Sequence, residues 1–442
     1  MSTLIREELA SRMWQIVLLA MLCIASSCVL GQAREGEPLW QTERTQEKLP
    51  SADQVIKADV VRVDVARLVS AANSRFTLVM PDGARFVIVK SGEERVSNGG
   101  FVWRGQIEGE PRSNVTLSVV KDVVIGTFST SRGAVYRLRY WKDGLHLIEQ
   151  VDPSRYPREL EPRAPSPQPR HLQGQECPTD SGKQIDLLVV YTDDAEGAAN
   201  GATAMIAHVN AAVSDTNQSY ANSNLQQRLR LVHLAKLDYN EGVGVNAALT
   251  GFESATNSVF APVRAWRDQY RADVVAFITA EGPCGQSNTM VAVGPAFAAS
   301  AISVVRYDCS TDRYSFGHEL GHLMSARHDW FSDDEDNSPY AYNHACTQPH
   351  PLNGEDPWRT MMAMDDECQI ARDPVNNLPI HCTRLLQWSD PNGCSKKDAM
   401  GMVKPSAKTN NRLTLENTAP IVAKFRCAVP PGPNPPSGID VE

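Results

Sequence analysis

The sequence is poor in three features that would each point to a class of protein. Basic residues are not in excess, because 43 Lys and Arg stand against 52 Asp and Glu, and no basic run reverses the net charge of −9. This balance argues against nucleic acid as a partner. Beyond Leu30 no apolar run is long enough for a transmembrane helix. No Cys-x-x-Cys pair of the kind found in zinc ribbons occurs either.

Cysteine is absent from residues 29–176 and concentrated after them. Cys23 and Cys28 precede this gap, and the other eight of the ten follow it: Cys177, Cys284, Cys309, Cys346, Cys368, Cys382, Cys394 and Cys427. An even number in one part of an exported chain predicts disulfides formed in an oxidising compartment, although the sequence alone does not choose the pairs.

The first residues are typical of a secretory signal. Two arginines precede the apolar run from Trp14 to Leu30, and Gly31-Gln-Ala33 supplies small residues at the spacing of a cleavage site. We therefore predict a signal peptide over residues 1–33 and a secreted protein, extracellular or periplasmic. Ser26-Ser27-Cys28 also weakly resembles a lipoprotein site, so a lipid anchor at Cys28 remains an alternative.

Residues 34–176 are predicted to form a β-rich domain that ends in a linker. Short alternating or β-branched runs separated by turn signals at intervals of about ten residues indicate an all-β fold. The predicted strands begin near Val60, Arg75, Arg85, Val115, Val123, Val135 and His146. Arg34 to about Pro50 is polar and is predicted to be a flexible lead. Residues 153–171 hold six prolines and are predicted to be a stiff, exposed linker.

The pattern changes at Gln184, where strands begin to alternate with helices. This alternation predicts a mostly parallel sheet covered by helices, in a domain spanning residues 177–428. Its strands are predicted at Ile185–Tyr191, 229–237, 273–279, 289–293 and 301–307, and its helices at 199–223 and 246–271. Cys284 and Cys309 flank the last two strands and are the first choice for a disulfide. Residues 429–442, with five prolines, are predicted to be a disordered tail.

One stretch carries the candidate chemistry. His318 and His322 are four residues apart, so on a helix both imidazoles face the same side and can reach one ion. Glu319 points away from that platform and suits a general base that accepts a proton from water. His328 can be a third ligand only if the helix, predicted from about Asp312 to Ala326, ends between Leu323 and Arg327. Three imidazoles leave one position open, as in catalytic zinc sites. The alternative is a core helix with incidental histidines.

The motif His318-Glu-x-x-His322-x-x-x-x-x-His328-Asp329 resembles the zinc signature of the metzincin metallopeptidases, in the adamalysin or reprolysin branch with its bacterial secreted members. The family usually has Gly where this chain has Ser325, at a sharp turn out of the helix. Arg359-Thr-Met-Met362 resembles the family's Met-turn, with Met362 beneath the metal, and Asp329 is expected to brace the turn after the helix. The resemblance covers about residues 184–427.

The resemblance implies an α+β metzincin-like catalytic domain preceded by an all-β prodomain. The first strand of the pair near residue 289 would be the antiparallel edge strand that binds an extended peptide. The β domain would be a propeptide that covers the site and inhibits the enzyme, or else a permanent accessory domain. Related prosegments can place a thiolate on zinc, so Cys177 is either such a switch or part of a disulfide.

We therefore expect a secreted Zn²⁺-dependent endopeptidase, made as a zymogen, that acts on protein or peptide substrates. Asp333-Asp-Glu-Asp336 is either a Ca²⁺ site or a solvated loop. One alternative is an inactive peptidase fold used for surface adhesion. Another is a zinc hydrolase that acts on non-peptide substrates.

Overall fold

The computed structural model describes residues 38–70, 74–96, 99–165, 180–335, 338–351, 356–373, 377–394, 396–397, 403–404 and 408–427. The predicted signal peptide with Cys28, the C-terminal tail and Cys177 lie outside these residues. Within them, no helix combines the length and the apolar composition that crossing a bilayer requires.

The N-terminal part is all-β, as predicted. Its nine-stranded sheet has the order β1-β2-β9-β8-β7-β6-β5-β4-β3, and all neighbouring strands are antiparallel. One short helix, α1 (Val65–Val69), follows the second strand. The strands are β1 (Trp40–Glu43), β2 (Val55–Val63), β3 (Arg75–Val79), β4 (Arg85–Arg95), β5 (Phe101–Ile107), β6 (Asn114–Val120), β7 (Val123–Ser129), β8 (Val135–Lys142) and β9 (Leu145–Val151).

The prediction of a flexible lead is wrong for residues 40–43. Trp40 pairs with Val63 in the β1–β2 ladder, and its indole nitrogen donates to the Val79 carbonyl at 3.0 Å. Leu39 and Trp40 are both buried in the core of this sheet. These two large apolar side chains anchor a short edge strand whose other residues are polar. The strand therefore has no alternating apolar pattern from which the sequence could predict it.

The second part is a mixed α/β unit built on a five-stranded sheet of order β11-β10-β12-β14-β13. Its first four strands are parallel, as predicted, and the last is antiparallel. The strands are β10 (Gln184–Tyr191), β11 (Arg228–Lys236), β12 (Val274–Thr279), β13 (Gly285–Ser287) and β14 (Ile302–Arg306). Smaller ladders are made by β15 (Thr347–Gln348), β16 (Trp358–Arg359), β17 (Thr383–Arg384), β18 (Lys396–Lys397) and β19 (Val403–Lys404).

Helices accompany this sheet: the range predicted at 199–223 contains one long helix, whereas the range predicted at 246–271 contains two, separated by residues 254–260. They are α2 (Asp193–Ala199), α3 (Ala202–Asn222), α4 (Val245–Glu253), α5 (Ala261–Gln269), α6 (Tyr307–Asp312), α7 (Ser315–His322), α8 (Asp366–Ile370) and α9 (Asn411–Val422). Short 3₁₀ turns lie at Pro153–Arg155, Glu241–Val243 and Pro295–Ser300. Cys284 and Cys309 are bonded, as are Cys346 with Cys394 and Cys368 with Cys382.

The position predicted for the antiparallel edge strand is wrong. The edge strand is β13, and residues 289–293 form no strand because they turn toward the end of α7 instead. The backbone nitrogen of Met290 and the hydroxyl of Thr289 both donate to the His322 carbonyl, at 3.3 Å each.

The two parts are in contact through one hydrophobic cluster, although the first sheet also has a core of its own. Val120, Val123 and Ile125, from β6 and β7 of the first sheet, belong to the same buried cluster as β10 and α3 of the second. α3 therefore packs against both sheets. Buried polar contacts also cross the boundary, because Arg137 lies 3.0 Å from Asp312.

Candidate active site

Helix α7 carries His318, Glu319 and His322 and is shorter than predicted. It begins at Ser315, after Tyr314 in a left-handed conformation (φ +58°), and ends at His322. Beyond it, the amides of both Met324 and Ala326 donate to the Gly321 carbonyl, which closes a tight turn. The helix therefore stops early enough for His328 to return to it.

Ser325 occupies the turn in the conformation that usually requires glycine. Its φ is +68°, which costs a residue with a Cβ roughly 1 kcal/mol. The Ser325 hydroxyl donates to the Met290 carbonyl at 2.7 Å, and the Asn343 side-chain amide donates to the Ser325 carbonyl at 2.8 Å. These buried bonds offset the backbone cost, which explains how serine is accommodated here.

The three histidines converge as the motif requires. Nε2 of His328 lies 3.1 Å from Nε2 of His318 and 3.1 Å from Nε2 of His322, and all three rings are buried. Among the described residues this is the one cluster of His, Cys, Asp or Glu that is close enough to hold an ion.

The hydrogen bonds of the rings show that the cluster suits a cation. Nδ1 of His318 faces the Met361 carbonyl at 3.0 Å and Nδ1 of His322 faces the Ala326 carbonyl at 2.8 Å, so each must carry its proton there. Burial lowers the pKa of both rings well below the ordinary value, so they are neutral. Two Nε2 lone pairs therefore point at His328. Nitrogens bound tetrahedrally to zinc at about 2.0–2.1 Å lie roughly 3.3–3.4 Å apart, close to the spacing found.

Glu319 is fully buried beside the edge strand. A Cβ on Gly285 of β13 would collide with its carboxylate, so only glycine fits there. Both Glu319 oxygens lack a hydrogen bond of good geometry, although the Ser287 hydroxyl is close enough to lower the pKa. Burial is the larger effect and raises the pKa of Glu319 well above its ordinary value in the metal-free chain.

Asp329 and Met362 both lie close to the turn and the helix that carry the histidines. Asp329 Oδ1 accepts from the Phe331 amide at 3.1 Å, and Oδ2 accepts from the Met364 amide at 2.8 Å. The carboxylate therefore ties the turn after α7 to the segment around Met362. A Cβ on Gly321 would lie 2.6 Å from Met362 Sδ, so the thioether packs directly beneath the helix.

In the acidic turn near residue 333, Asp333 pairs with a basic side chain. Asp333 forms a two-pronged ion pair with Arg327, one contact of which is 2.6 Å long. His344 stacks on Trp330 with ring centroids 3.6 Å apart, and its Nδ1 lies 3.0 Å from the His328 carbonyl. His344 thus supports the chain around the tripod, the cluster formed by His318, His322 and His328, but is not a member of it.

The Pro-rich segment is not an exposed linker over the residues described. Residues 158–163 run parallel to β13 and pair with it through backbone hydrogen bonds from the Leu160 amide to the Gly285 carbonyl and from the Arg163 amide to the Ser287 carbonyl, each 2.8 Å. Glu161 Oε2 lies 3.2 Å from His328 Nδ1. The segment therefore occupies the edge where a peptide would be expected, directly over the histidines.

Glu159, which no motif in the sequence indicates, anchors this segment. It is 3% exposed, and its carboxylate contacts Arg384 Nη1 at 2.6 Å, Ser315 Oγ at 2.8 Å and Arg313 Nη2 at 3.2 Å. Burial alone would raise the pKa of Glu159, but the two guanidinium groups outweigh it and hold the pKa well below the ordinary value. The partners lie 154 to 225 residues away along the chain, and no local pattern signals such a contact.

A protein that brings three imidazoles together beside a buried carboxylate, at a sheet edge that holds an extended peptide, is a metallopeptidase by class. Residues 181–372 match the Reprolysin_5 description of metallo-peptidase family M12. The chain is 30% identical to a peptidyl-Asp metalloendopeptidase of Xanthomonas campestris over 440 residues, covering 92% of this chain and 97% of that one. A peptidyl-Asp metalloendopeptidase of Stenotrophomonas maltophilia is also 30% identical, over 86% of this chain and 89% of its own.

The chain therefore belongs to the reprolysin-type metallopeptidases of family M12 and is a metalloendopeptidase. Among solved structures, metalloproteinase-II from Bacteroides fragilis covers 60% of this chain and 84% of its own at 11% identity, with a TM-score of 0.35. We draw nothing from a likeness at that score.

Proposed function

We propose that this protein is a secreted zinc endopeptidase of metzincin type that cuts polypeptides beside acidic residues and is made as a zymogen. The observation that carries the proposal is the convergence of His318, His322 and His328 next to Glu319. The preference for acidic residues is inferred from the name of the relatives, peptidyl-Asp metalloendopeptidase.

In this proposal each of the chain's own functional groups has a separate role. His318, His322 and His328 would hold Zn²⁺, which when bound makes water more acidic and polarises a carbonyl. Glu319 would accept the proton of the attacking water and pass it to the leaving amine, because it is the buried carboxylate that follows His318 on the same helix. Met362 forms the floor under the imidazoles, and Asp329 holds the turn that returns His328.

The N-terminal sheet and the segment after it are the proposed prosegment. Residues 158–163 fill the sheet edge, so a substrate strand has no free backbone to pair with until they leave. A permanent accessory domain would not need to lie across the edge strand and the tripod. We propose removal of the N-terminal part by cleavage, with residues 1–33 acting as the export signal.

The test compares Glu319→Gln with the parent and with Glu416→Gln, a matched change on the exposed side of α9. We expect Glu319→Gln to keep its zinc and to lose about 10²- to 10⁴-fold in peptide turnover, the usual contribution of a general base. Glu416 pairs only with Arg412 on the surface, so its variant should match the parent. Metal content and casein digestion, with and without a chelator, are measured on the same samples.

Turnover at the parent rate by Glu319→Gln would refute the base assignment. A parent from which the N-terminal part has been removed, and which binds zinc but digests no casein, would support the adhesion alternative instead.

A further inference from the structure

The contact around Glu159 is more than an anchor, because it joins a carboxylate from the N-terminal part to positive charge in the peptidase part. Ser315 begins helix α7, three positions before His318. Arg384 Nη2 donates to the carbonyl of Ala363, the residue after Met362, at 3.1 Å. The Glu159 carboxylate therefore lies between the metal-binding helix and the Met-turn, within the site and not at its margin.

The peptidase part does not neutralise this pocket by itself. Arg313, Arg359 and Arg384 are 9%, 4% and 7% exposed, and Asp365 lies 3.5 Å from Arg359. Within the described ranges, Glu159 is the only carboxylate in ion-pair contact with Arg313 or Arg384. Even the other bond of the Arg313 side chain, to the Pro153 carbonyl at 2.8 Å, is made to the N-terminal part.

Removing the N-terminal part would leave two buried guanidinium groups without a negative partner, which is an unfavourable arrangement. The position that Glu159 vacates is lined by Arg313, Arg384 and the Ser315 hydroxyl. It is therefore positive, and Ser315 places it one helical turn from His318. The ligand that such a pocket favours is a carboxylate, because a guanidinium binds it with directional, charge-assisted hydrogen bonds.

We propose that Arg384 and Arg313, together with the Ser315 hydroxyl, bind the acidic side chain of the substrate residue beside the cut bond, and that Glu159 occupies this pocket as an internal mimic before maturation. This inference rests on the proposed function and assigns it a specificity pocket. An amide side chain is disfavoured because its NH₂ group would face the guanidinium donors and because it carries no negative charge to pair with them.

The first experiment uses the matured enzyme and three peptides that are identical except for Asp, Glu or Asn at one position. We expect the parent to prefer the acidic peptides over the Asn peptide. Arg384→Met should lower kcat/KM for the acidic peptides by about 10- to 100-fold, the usual effect of losing a hydrogen bond to a charged group. The readout is the ratio of kcat/KM between the acidic and the Asn peptides, because any general loss that follows from breaking the bond to the Ala363 carbonyl affects both peptides alike.

Two control variants distinguish an effect on this pocket from an effect on the fold. The possible outcomes also distinguish a failure of the pocket from a failure of the proposed function. Arg426→Met removes an arginine that pairs with Asp268, and it should keep the parent's selectivity. Arg384→Lys keeps the charge without the planar fork and should give an intermediate selectivity. A parent-like preference for acid in Arg384→Met would overturn the pocket while leaving the peptidase assignment intact. A parent that cuts no peptide would overturn the proposed function as well.

The second experiment tests the mimic without altering the enzyme. A synthetic peptide of residues 155–165 is added to the matured parent as an inhibitor, beside versions carrying Glu159→Gln or Arg158→Gln. We expect Glu159→Gln to weaken inhibition by about 10- to 100-fold. Arg158 pairs with Asp366, but 67% of its side chain is accessible, and such an exposed ion pair contributes little, so its version should inhibit like the parent peptide. Equal inhibition by all three, or none by the parent peptide, would overturn the mimicry.

Discussion

At the turn around Ser325, backbone strain destabilises the fold and the hydrogen bond of the hydroxyl stabilises it. Two substitutions at this position separate the two contributions. Ser325→Gly removes the hydroxyl but accepts φ +68° freely, whereas Ser325→Ala removes the hydroxyl and keeps the backbone cost. Loss of the bond to the Met290 carbonyl costs about 1 kcal/mol in both variants. The left-handed backbone destabilises the folded state of an L-residue by about 1–2 kcal/mol, and glycine avoids this cost. The greater conformational freedom of glycine in the unfolded chain cancels about 0.4–1 kcal/mol of that gain.

We therefore expect Ser325→Gly to be within about 0.5 kcal/mol of the parent and Ser325→Ala to be about 1 kcal/mol less stable than Ser325→Gly. Urea unfolding, monitored in a Glu319→Gln background to prevent self-digestion, measures both. Because the turn returns His328 to α7, zinc retention against a competing chelator should fall in the same order. An alanine variant at least as stable as the glycine variant would refute the strain argument.

Three further predictions follow from other contacts. His328→Ala should lower zinc affinity by at least about 100-fold, measured by chelator competition, and unchanged affinity would exclude His328 as a ligand. Asp329→Asn places an amide NH₂ against backbone donors such as the Met364 amide and should destabilise by about 1–3 kcal/mol in urea; no change would refute the brace. Burial raises the pKa of Asp215 to about 7 in the packed chain, while an exposed Asp titrates near 3.9. The cleaved halves should therefore bind more weakly as pH rises from about 4 to 7, by at most about tenfold per unit, and Asp215→Asn should flatten that slope in size-exclusion titrations.

The histidine motif could be predicted because its geometry is local. A spacing of four on a helix fixes His318 and His322, and the six-residue return to His328 forces an early helix end, which the structure has. The parallel strands were predictable for a similar reason, since continuous apolar runs such as β10 mark strands that are buried on both faces.

The edge strand and the pocket could not be predicted in this way. β13 is three residues long and contains Gly285, so it offers neither period nor apolar bulk. A Cβ at Gly285 would collide with the buried Glu319 carboxylate, a contact between distant residues that no local pattern signals. Glu159 lies in a Pro- and Arg-rich stretch whose composition is typical of a linker, and only tertiary contacts with Arg313 and Arg384 bury it.

The hydrophobic cluster that joins the two parts has a practical consequence for anyone who wants to prepare the peptidase part without the N-terminal part. Val120, Val123 and Ile125 shield one side of α3, so a peptidase half synthesised alone would present that helix's apolar side to water and would tend to aggregate. Recombinant production should therefore begin with both halves joined, or supply the β half in trans as a chaperone, and separate them only after refolding.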